Sequence, residues 1–144
     1  MQPDETDWKI INTLSKEHQP NNRIARQLGL SEATIRRRIK NLQNADIIKI
    51  RALLNPEILE NRQLALVAAN IEKSKFLKQK AQEIAKLDNV NSVSIISGRY
   101  DLMIEVMVES NKGLVNFVTE KLSTVEGISK TETFVVMKSI DKFI

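Results

Sequence analysis

The sequence predicts an α+β protein with two domains: a helical N-terminal domain with a winged helix-turn-helix, and a C-terminal domain of ferredoxin-like βαββαβ order. Three observations support this. Apolar residues recur at helical spacing up to about residue 45, strand and helix patterns alternate after residue 63, and the basic charge is confined to one segment. We predict domains at residues 1–54 and 63–144, joined by a linker at 55–62 around Pro56.

The first helix is predicted in ETDWKIINTLSKE, close to the N-terminus. Thr6 is the predicted N-cap, and Asp7 lies in the first turn, where a negative charge favours the helix. The residues predicted to face the core at helical spacing are Trp8, Ile11 and Leu14, with Ile10 beside them. A break at QPNN then separates this helix from the next.

Two further helices form the predicted helix-turn-helix. NRIARQLG is a short helix that ends at Gly29, and Ser31 is the N-cap of a longer helix that runs to about Ala45. Ala25 and Gly29 are small, which favours a close approach of the two helices. The predicted inward positions are Ile24, Ala25 and Leu28 in the first helix and Ile35, Ile39 and Leu42 in the second.

After the third helix, ADIIKIRALLNP alternates like a strand and predicts a hairpin or wing. The C-terminal domain then reads as strand QLALVAANIE, helix FLKQKAQEIAKL, strand NVNSVSIIS, strand LMIEVMV, helix NKGLVNFVTEKL and strand GISKTETFVVM. In the third strand, Leu102, Ile104, Val106 and Val108 share one face. Met103 and Met107 are therefore predicted on the opposite face.

Charge and composition narrow the class of protein. The 144 residues carry a net charge of +4, yet residues 21–51 alone contain eight Arg and Lys against two acidic residues. There is no cysteine, which excludes disulfides and thiolate chemistry. The N-terminus is polar and acidic, unlike a targeting peptide, and no apolar run approaches the roughly 20 residues needed to span a membrane. These features predict a soluble, cytoplasmic protein.

The basic segment predicts a DNA-binding surface on the second helix of the helix-turn-helix. With Ile35, Ile39 and Leu42 inward, the basic side chains of TIRRRIK form an outward ridge, and the small residues of the first turn approach base edges. The predicted DNA-binding residues are Asn22, Arg23, Ser31, Ala33, Thr34, Arg36, Arg37, Arg38, Lys40, Lys49 and Arg51. Among these, Arg23, Lys49 and Arg51 are expected to hold phosphates. The alternative is that the basic run is simply a solvated helix face.

The residues resemble the Lrp/AsnC family of bacterial and archaeal transcription regulators over nearly the whole chain. The similar segments are DWKIINTL, IARQLGLSEATIRRRIKNLQNADIIKI, LLNPEIL, ISGRYDLMIEV and LSTVEGISKTETFVV. The resemblance implies an N-terminal DNA-binding domain, a hinge, and a C-terminal ferredoxin-like domain that dimerises and senses small amino acids. It also implies homodimers that assemble further, often to octamers, with effector pockets between dimers.

Carried onto this chain, the resemblance implies an effector loop that faces the last strand. The implied effector-binding residues are Ser97, Gly98, Arg99, Tyr100, Asp101, Thr131 and Thr133. In physical terms Gly98 lets backbone approach a ligand, and Asp101 can pair with an ammonium group. The family commonly has Thr where Ser97 stands and often an acidic or small residue where Arg99 stands, which implies either a different effector or none. The alternative is that SGRYD is only a hairpin turn.

No residue pattern predicts a catalytic site, a metal site or a cofactor. His18 is the single histidine, and the chain has neither a P-loop nor a dinucleotide fingerprint. The predicted function is a sequence-specific transcription regulator that binds double-stranded DNA and whose assembly or DNA affinity responds to a free amino acid. The alternatives are an architectural, weakly specific DNA-compacting protein without a ligand response, and an enzyme or its regulatory subunit, which leaves the basic segment unexplained.

Overall fold

The computed structural model describes residues 1–144, and the chain divides into two compact units, Met1–Ala52 and Leu53–Ile144. The first unit contains three helices: α1 (Glu5–Lys16), α2 (Asn21–Leu28) and α3 (Glu32–Asn44). The residues predicted as a linker, 55–62, belong to the second unit and include a short 3-10 helix, Pro56–Ile58.

Helix α1 begins two residues earlier than predicted. Its N-cap is Asp4 rather than Thr6, and the Asp4 and Asp7 side chains each accept a hydrogen bond from the other's backbone N–H, a reciprocal capping box. The buried face of α1 contains Asp7 and Ile10, whereas Trp8 is 52% exposed. The predicted inward position of Trp8 is therefore wrong, because the helix turns Asp7 and Ile10 toward the core.

Helices α2 and α3 form as predicted. Ile24 and Ala25 of α2 and Ile35, Ile39 and Leu42 of α3 are buried, and Leu28 is partly buried against them. The apolar core of the first unit is therefore a small cluster of aliphatic side chains contributed by all three helices.

The predicted wing forms no strand within one chain: residues 47–55 are irregular. The backbone N–H groups of Ile47 and Ile48 donate to the Leu42 carbonyl, which turns the chain back over the end of α3, and Ile48 packs against the core. The alternating pattern produces no strand because the first unit offers no second strand to pair with.

The second unit has the predicted βαββαβ order. Its elements are β1 (Arg62–Ile71), α4 (Leu77–Ile84), β2 (Val90–Ile95), β3 (Leu102–Glu109), α5 (Ser110–Asn116) and β4 (Ile128–Val135). Helix α5 continues as a π-helical turn, Phe117–Lys121, and a 3-10 turn, Leu122–Thr124. The four strands form one antiparallel sheet in the order β2-β3-β1-β4.

One face of the sheet packs against the helices. The alternate residues Leu102, Ile104, Val106 and Val108 of β3 are buried there, as predicted, with Phe117 as the largest fully buried side chain of the cluster. The buried cluster also includes Ala65, Val67, Ala69, Ile71, Ala81, Ile84, Leu114, Leu122 and Val125. Burial of apolar surface, at about 25 cal/mol per Å², is the main stabilising contribution in this unit.

The other face of the sheet carries Met103 and Met107, as predicted, opposite Ala68 and Leu64 of β1. The C-terminal residues lie against part of this face: Lys142 forms an ion pair with Glu105, and Leu54 and Ile144 exchange two backbone hydrogen bonds of 2.8 and 3.0 Å. Met107 on this face is buried, whereas Phe134 is 45% exposed. None of the helices combines the length and hydrophobicity that a bilayer crossing requires.

Candidate nucleic-acid interface and effector loop

The turn between α2 and α3 is fixed by its backbone. Gly29 has φ +64°, the left-handed conformation that ends a helix, and both its N–H and that of Leu30 donate to the Ala25 carbonyl. A Cβ at Gly29 would meet no atom within 4 Å. Glycine is therefore favoured here by the backbone angle, and the predicted need for close helix approach at Gly29 is wrong.

Ser31 starts α3 at a defined orientation. Its Oγ accepts a hydrogen bond of 3.1 Å from the Thr34 backbone N–H and lies 2.8 Å from the Thr34 hydroxyl oxygen. Ala33 is exposed between them. The first turn of α3 therefore presents two hydroxyls and a methyl group, which are small enough to approach a base edge.

The three adjacent arginines of α3 have three different environments. Arg36 pairs with Glu32 one turn earlier, at 2.7 Å between Nη2 and Oε1. Arg37 is exposed and forms no ion pair, and neither does Lys40. Arg37 and Lys40 are therefore the cations of this helix that remain available to an anionic partner, and Arg36 joins them by releasing an exposed pair of small energy.

The structure differs from the prediction at Arg38, which turns toward α1. Its Nη1 lies 2.7 Å from Asp4 Oδ2 and 2.8 Å from Asp7 Oδ1. The Asp7 side chain is only 4% exposed and that of Arg38 29%. Hydrogen bonds between charged groups at this distance are among the stronger ones in proteins. Arg38 therefore holds α3 against α1, with its charge matched inside the unit.

The electrostatics of this contact agree with its geometry. The backbone N–H of Asp7 and the Arg38 guanidinium lower the pKa of Asp4, and the two aspartates raise the pKa of Arg38. The sequence signal for the contact is the pattern Asp-x-x-Asp before an apolar run, which is typical of a helix N-terminus. The tertiary partner of this pattern, 31 residues away from Asp7, has no such signal.

The remaining predicted DNA-binding residues lie outside α3. Asn22 and Arg23 are exposed in the first turn of α2, and Arg23 lies 3.6 Å from Glu17 in a weak surface pair. Lys49 and Arg51 are exposed in the irregular segment after α3, without ion pairs. Arg26 of α2, which was not among the predicted residues, is a further exposed cation without an acidic partner.

The predicted effector loop, residues 97–101, lies between β2 and β3 and is held by contacts to β1. The Asp101 carboxylate accepts a 2.8 Å hydrogen bond from the Ile71 backbone N–H, and the Asp101 N–H donates to Asn70 Oδ1 and to the Ala69 carbonyl, both at 3.1 Å. The β1–β4 register shifts at the same place, between Asn70 and Ile71. Gly98 has φ +134°, which favours glycine at this position of the loop.

Tyr100 connects this loop to the last strand. Its ring is 8% exposed, and its hydroxyl donates to the Glu132 carboxylate on β4. Because β1 lies between β3 and β4, the tyrosine side chain must cross β1 to reach that carboxylate. The contact therefore fixes the loop to both neighbouring strands.

The two threonines implied by the resemblance lie elsewhere. Thr131 and Thr133 pair with Ala69 and Val67, so they share the face of the helices, whereas Glu132 points to the opposite face. Both threonines are exposed, and within one chain neither is hydrogen-bonded to the loop. A single chain therefore brings Tyr100 to Glu132 and does not bring the loop to the threonines.

A cleft of about 350 Å³ beside Ile71 contains none of the predicted effector residues. Ile71, whose N–H binds Asp101, is one of its walls. The other lining residues are Glu72, Lys73, Phe76, Gln79, Lys80, Glu126 and Gly127. No group of three or more His, Cys, Asp or Glu side chains is placed to hold a metal ion.

Comparisons with known proteins match both units. Residues 3–49 match the family model described as winged helix-turn-helix DNA-binding, and residues 64–143 match the model described as the Lrp/AsnC ligand binding domain. An uncharacterised HTH-type transcriptional regulator of Pyrococcus furiosus is 35% identical over 142 residues, which cover 97% of this chain and 95% of that protein.

Two solved structures have the same fold over nearly the whole chain. AsnC of E. coli has 25% identity and a TM-score of 0.70, and the match covers 100% of this chain and 99% of that one. A transcriptional regulator of Neisseria meningitidis, solved as an L-Met complex, has 26% identity and a TM-score of 0.72, covering 99% and 94%. Since both family models match in chain order and the structures agree with them, the chain belongs to the Lrp/AsnC family of DNA-binding transcription regulators.

Proposed function

We propose that this protein is a sequence-specific transcription regulator that binds its operator through α3 as a homo-oligomer and responds to a free amino acid. The observation that carries the proposal is the exposed surface of α3, where Arg37 and Lys40 have no acidic partner while the other face of the helix is buried. Unpaired cations on the second helix of a helix-turn-helix are suited to the phosphates and base edges of the major groove.

We assign the exposed residues of the first unit to different parts of the DNA according to their positions. Ser31, Ala33 and Thr34 approach base edges, and Arg36, Arg37 and Lys40 contact guanine edges or phosphates. Asn22, Arg23, Lys49 and Arg51 are assigned to phosphates at the edge of the site. We do not assign Arg38 to DNA contacts. It is a positioning residue, because its two carboxylate partners, Asp4 and Asp7, belong to the N-cap and first turn of α1.

Oligomerisation is supported by the exposed apolar surface of the second unit. Phe134 is 45% exposed, and Met137 of the C-terminal segment is 92% exposed. We propose a homodimer that assembles further to an octamer, so that two helix-turn-helix units contact half-sites about one helical turn apart or a multiple of it. The octamer remains an expectation taken from the family resemblance.

The amino-acid response is supported by the match to a ligand-binding domain and by the relative that was solved with L-Met. We propose that Ser97, Gly98, Arg99, Tyr100 and Asp101 bind the effector. In that case Thr131 and Thr133 line the effector pocket only if a second copy of the chain forms one side of the pocket. We propose no catalytic activity and no cofactor, and we assign the protein to the cytoplasm in association with the nucleoid.

The test is a measurement of DNA binding against salt. An operator is first selected from random duplexes with the full-length protein, and its dissociation constant is measured at several salt concentrations. We expect Arg37→Gln to weaken binding and to reduce the salt slope by about 1, because one phosphate contact is lost. The matched control is Lys78→Gln, which neutralises an exposed, unpaired cation in the second unit and should leave the slope unchanged.

Unchanged affinity and slope in Arg37→Gln would contradict the assignment of α3 to the groove. The same selection separates this proposal from the architectural alternative. A regulator prefers its selected site over random DNA by about 10³-fold or more. A preference of only a few fold would instead identify a DNA-compacting protein.

A further inference from the structure

Two cations converge on the buried tyrosine of the loop. The guanidinium carbon of Arg99 lies 5.9 Å from the centroid of the Tyr100 ring, and Nζ of Lys130 lies 6.0 Å from the same centroid. Arg99 belongs to the loop and Lys130 to β4, so two separate elements place positive charge around one ring. Contacts at this distance stabilise a cation only weakly at an exposed site.

These two cations lack acidic partners, although carboxylates are close by. Neither Arg99 nor Lys130 forms an ion pair. Glu132 is occupied, because it accepts the hydrogen bond of the tyrosine hydroxyl. One oxygen of Asp101 is also occupied, because it accepts the Ile71 N–H. The loop therefore presents two cations that form no ion pair and one carboxylate oxygen that accepts no hydrogen bond.

We infer that the effector is an α-amino acid with a second carboxylate, of the aspartate or glutamate type. Arg99 and Lys130 each bind one carboxylate, and the free oxygen of Asp101 accepts the ammonium group. A neutral amino acid has a single carboxylate and leaves one of the two cations without a partner. The inference rests on the proposed amino-acid response and specifies which chemical class elicits it.

The experiment compares isosteric ligands on the full-length protein. L-Glutamate and L-aspartate are titrated against L-glutamine and L-asparagine at matched ionic strength, with thermal unfolding and calorimetry as readouts. A ligand that binds only the folded protein raises its unfolding temperature. We expect the acidic amino acids to bind about tenfold or more tightly than their amides, since each charged hydrogen bond lost costs at least that factor.

Single substitutions test whether L-glutamate binds at this loop. Arg99→Gln and Lys130→Gln should each weaken L-glutamate binding by about tenfold. The variant of the cation that binds the side-chain carboxylate should leave L-glutamine binding nearly unchanged, whereas the variant of the cation that binds the α-carboxylate should weaken it as well. Lys78→Gln, an exposed cation on α4, is the matched control and should bind L-glutamate like the parent protein. 2-Oxoglutarate, which lacks the ammonium group, should bind more weakly than L-glutamate if Asp101 contacts that group.

Four other results would each contradict a specific part of this inference. If neutral amino acids bind as tightly as the acidic ones, the two cations are solvated surface charges; the inference fails while the proposed amino-acid response stands. If L-glutamate binds but neither Arg99→Gln nor Lys130→Gln weakens it, the site is wrong. If 2-oxoglutarate binds as tightly as L-glutamate, the ligand is not recognised as an amino acid. If no amino acid shifts unfolding at millimolar concentration, the inference and the proposed response fail together.

Discussion

The two units hold their predicted binding residues in different ways. In the first unit a buried carboxylate, Asp7, faces the guanidinium of Arg38, and this charged pair fixes α3 against α1. In the second unit Asp101 accepts a backbone N–H from β1, and the tyrosine beside it donates to β4. The helix is thus held by opposite charges, whereas the loop is held by hydrogen bonds to the sheet. Removing one partner of a buried charged pair lowers the unfolding free energy more than removing the acceptor of a backbone hydrogen bond does.

The largest expected effect tests the charged pair. Arg38→Met leaves Asp7 nearly buried without its cation, and we expect the first unit to lose about 2–3 kcal/mol of unfolding free energy. Urea unfolding followed by Trp8 fluorescence measures this, since Trp8 is the single tryptophan and lies in α1. Arg37→Met, on the exposed face of the same helix, should stay within about 0.5 kcal/mol of the parent protein.

Equal stability of the Arg38 and Arg37 variants would mean that the charged pair contributes nothing. The double variant Asp7→Asn with Arg38→Met supplies a second check. Its loss should be smaller than the sum of the two single losses, because the two side chains interact.

An intermediate effect tests the backbone contact of the second unit. Asp101→Ala leaves the Ile71 N–H without its acceptor, and we expect a loss of about 1–2 kcal/mol and faster hydrogen exchange of that amide. Asp88→Ala is the control, since the Asp88 side chain is 93% exposed and lies 3.9 Å from Lys121 in a weak pair. Exchange at Ile71 that is no faster in Asp101→Ala than in Asp88→Ala would show that this hydrogen bond does not hold the loop.

The smallest expected effect is on the pH dependence of stability, and it concerns Asp4, the exposed partner of Arg38. The pKa of Asp4 is lowered in the folded protein by the Asp7 N–H and by Arg38, so the folded state favours the ionised form. Its contribution to stability is therefore fully present above the unfolded pKa of about 4 and is lost as the pH falls through the lower folded value. The unfolding midpoint of the first unit should fall less steeply below pH 4 in Asp4→Asn than in the parent protein. Parallel curves would contradict the role of Asp4.

The elements that were predicted correctly depend on local sequence patterns. Gly29 and Ser31 mark the end of one helix and the start of the next, and both positions are confirmed because their signals lie within four residues of the contacts they make. The strict alternation from Leu102 to Val108 placed β3 correctly for the same reason.

Contacts between distant residues explain the differences. Trp8 was predicted inward from its helical spacing with Ile11 and Leu14, yet the buried face of α1 contains Asp7, whose partner Arg38 lies 31 residues away in sequence. The alternating residues after Ala45 looked like a strand, but a strand also requires a neighbour, which the first unit lacks. The Tyr100 to Glu132 contact, 32 residues apart, depends on which strands are adjacent, and no local pattern reports that.

The division of α3 into two faces has an evolutionary consequence. Arg38 and the isoleucines connect the helix to the rest of its unit, whereas Ala33, Arg37 and Lys40 project into solvent without internal partners. Substitutions at such exposed positions usually change stability by less than about 0.5 kcal/mol. Under the proposed function, new operator preferences are therefore accessible through single substitutions that leave the folded domain almost unaffected, so a duplicated copy of the gene could acquire different targets.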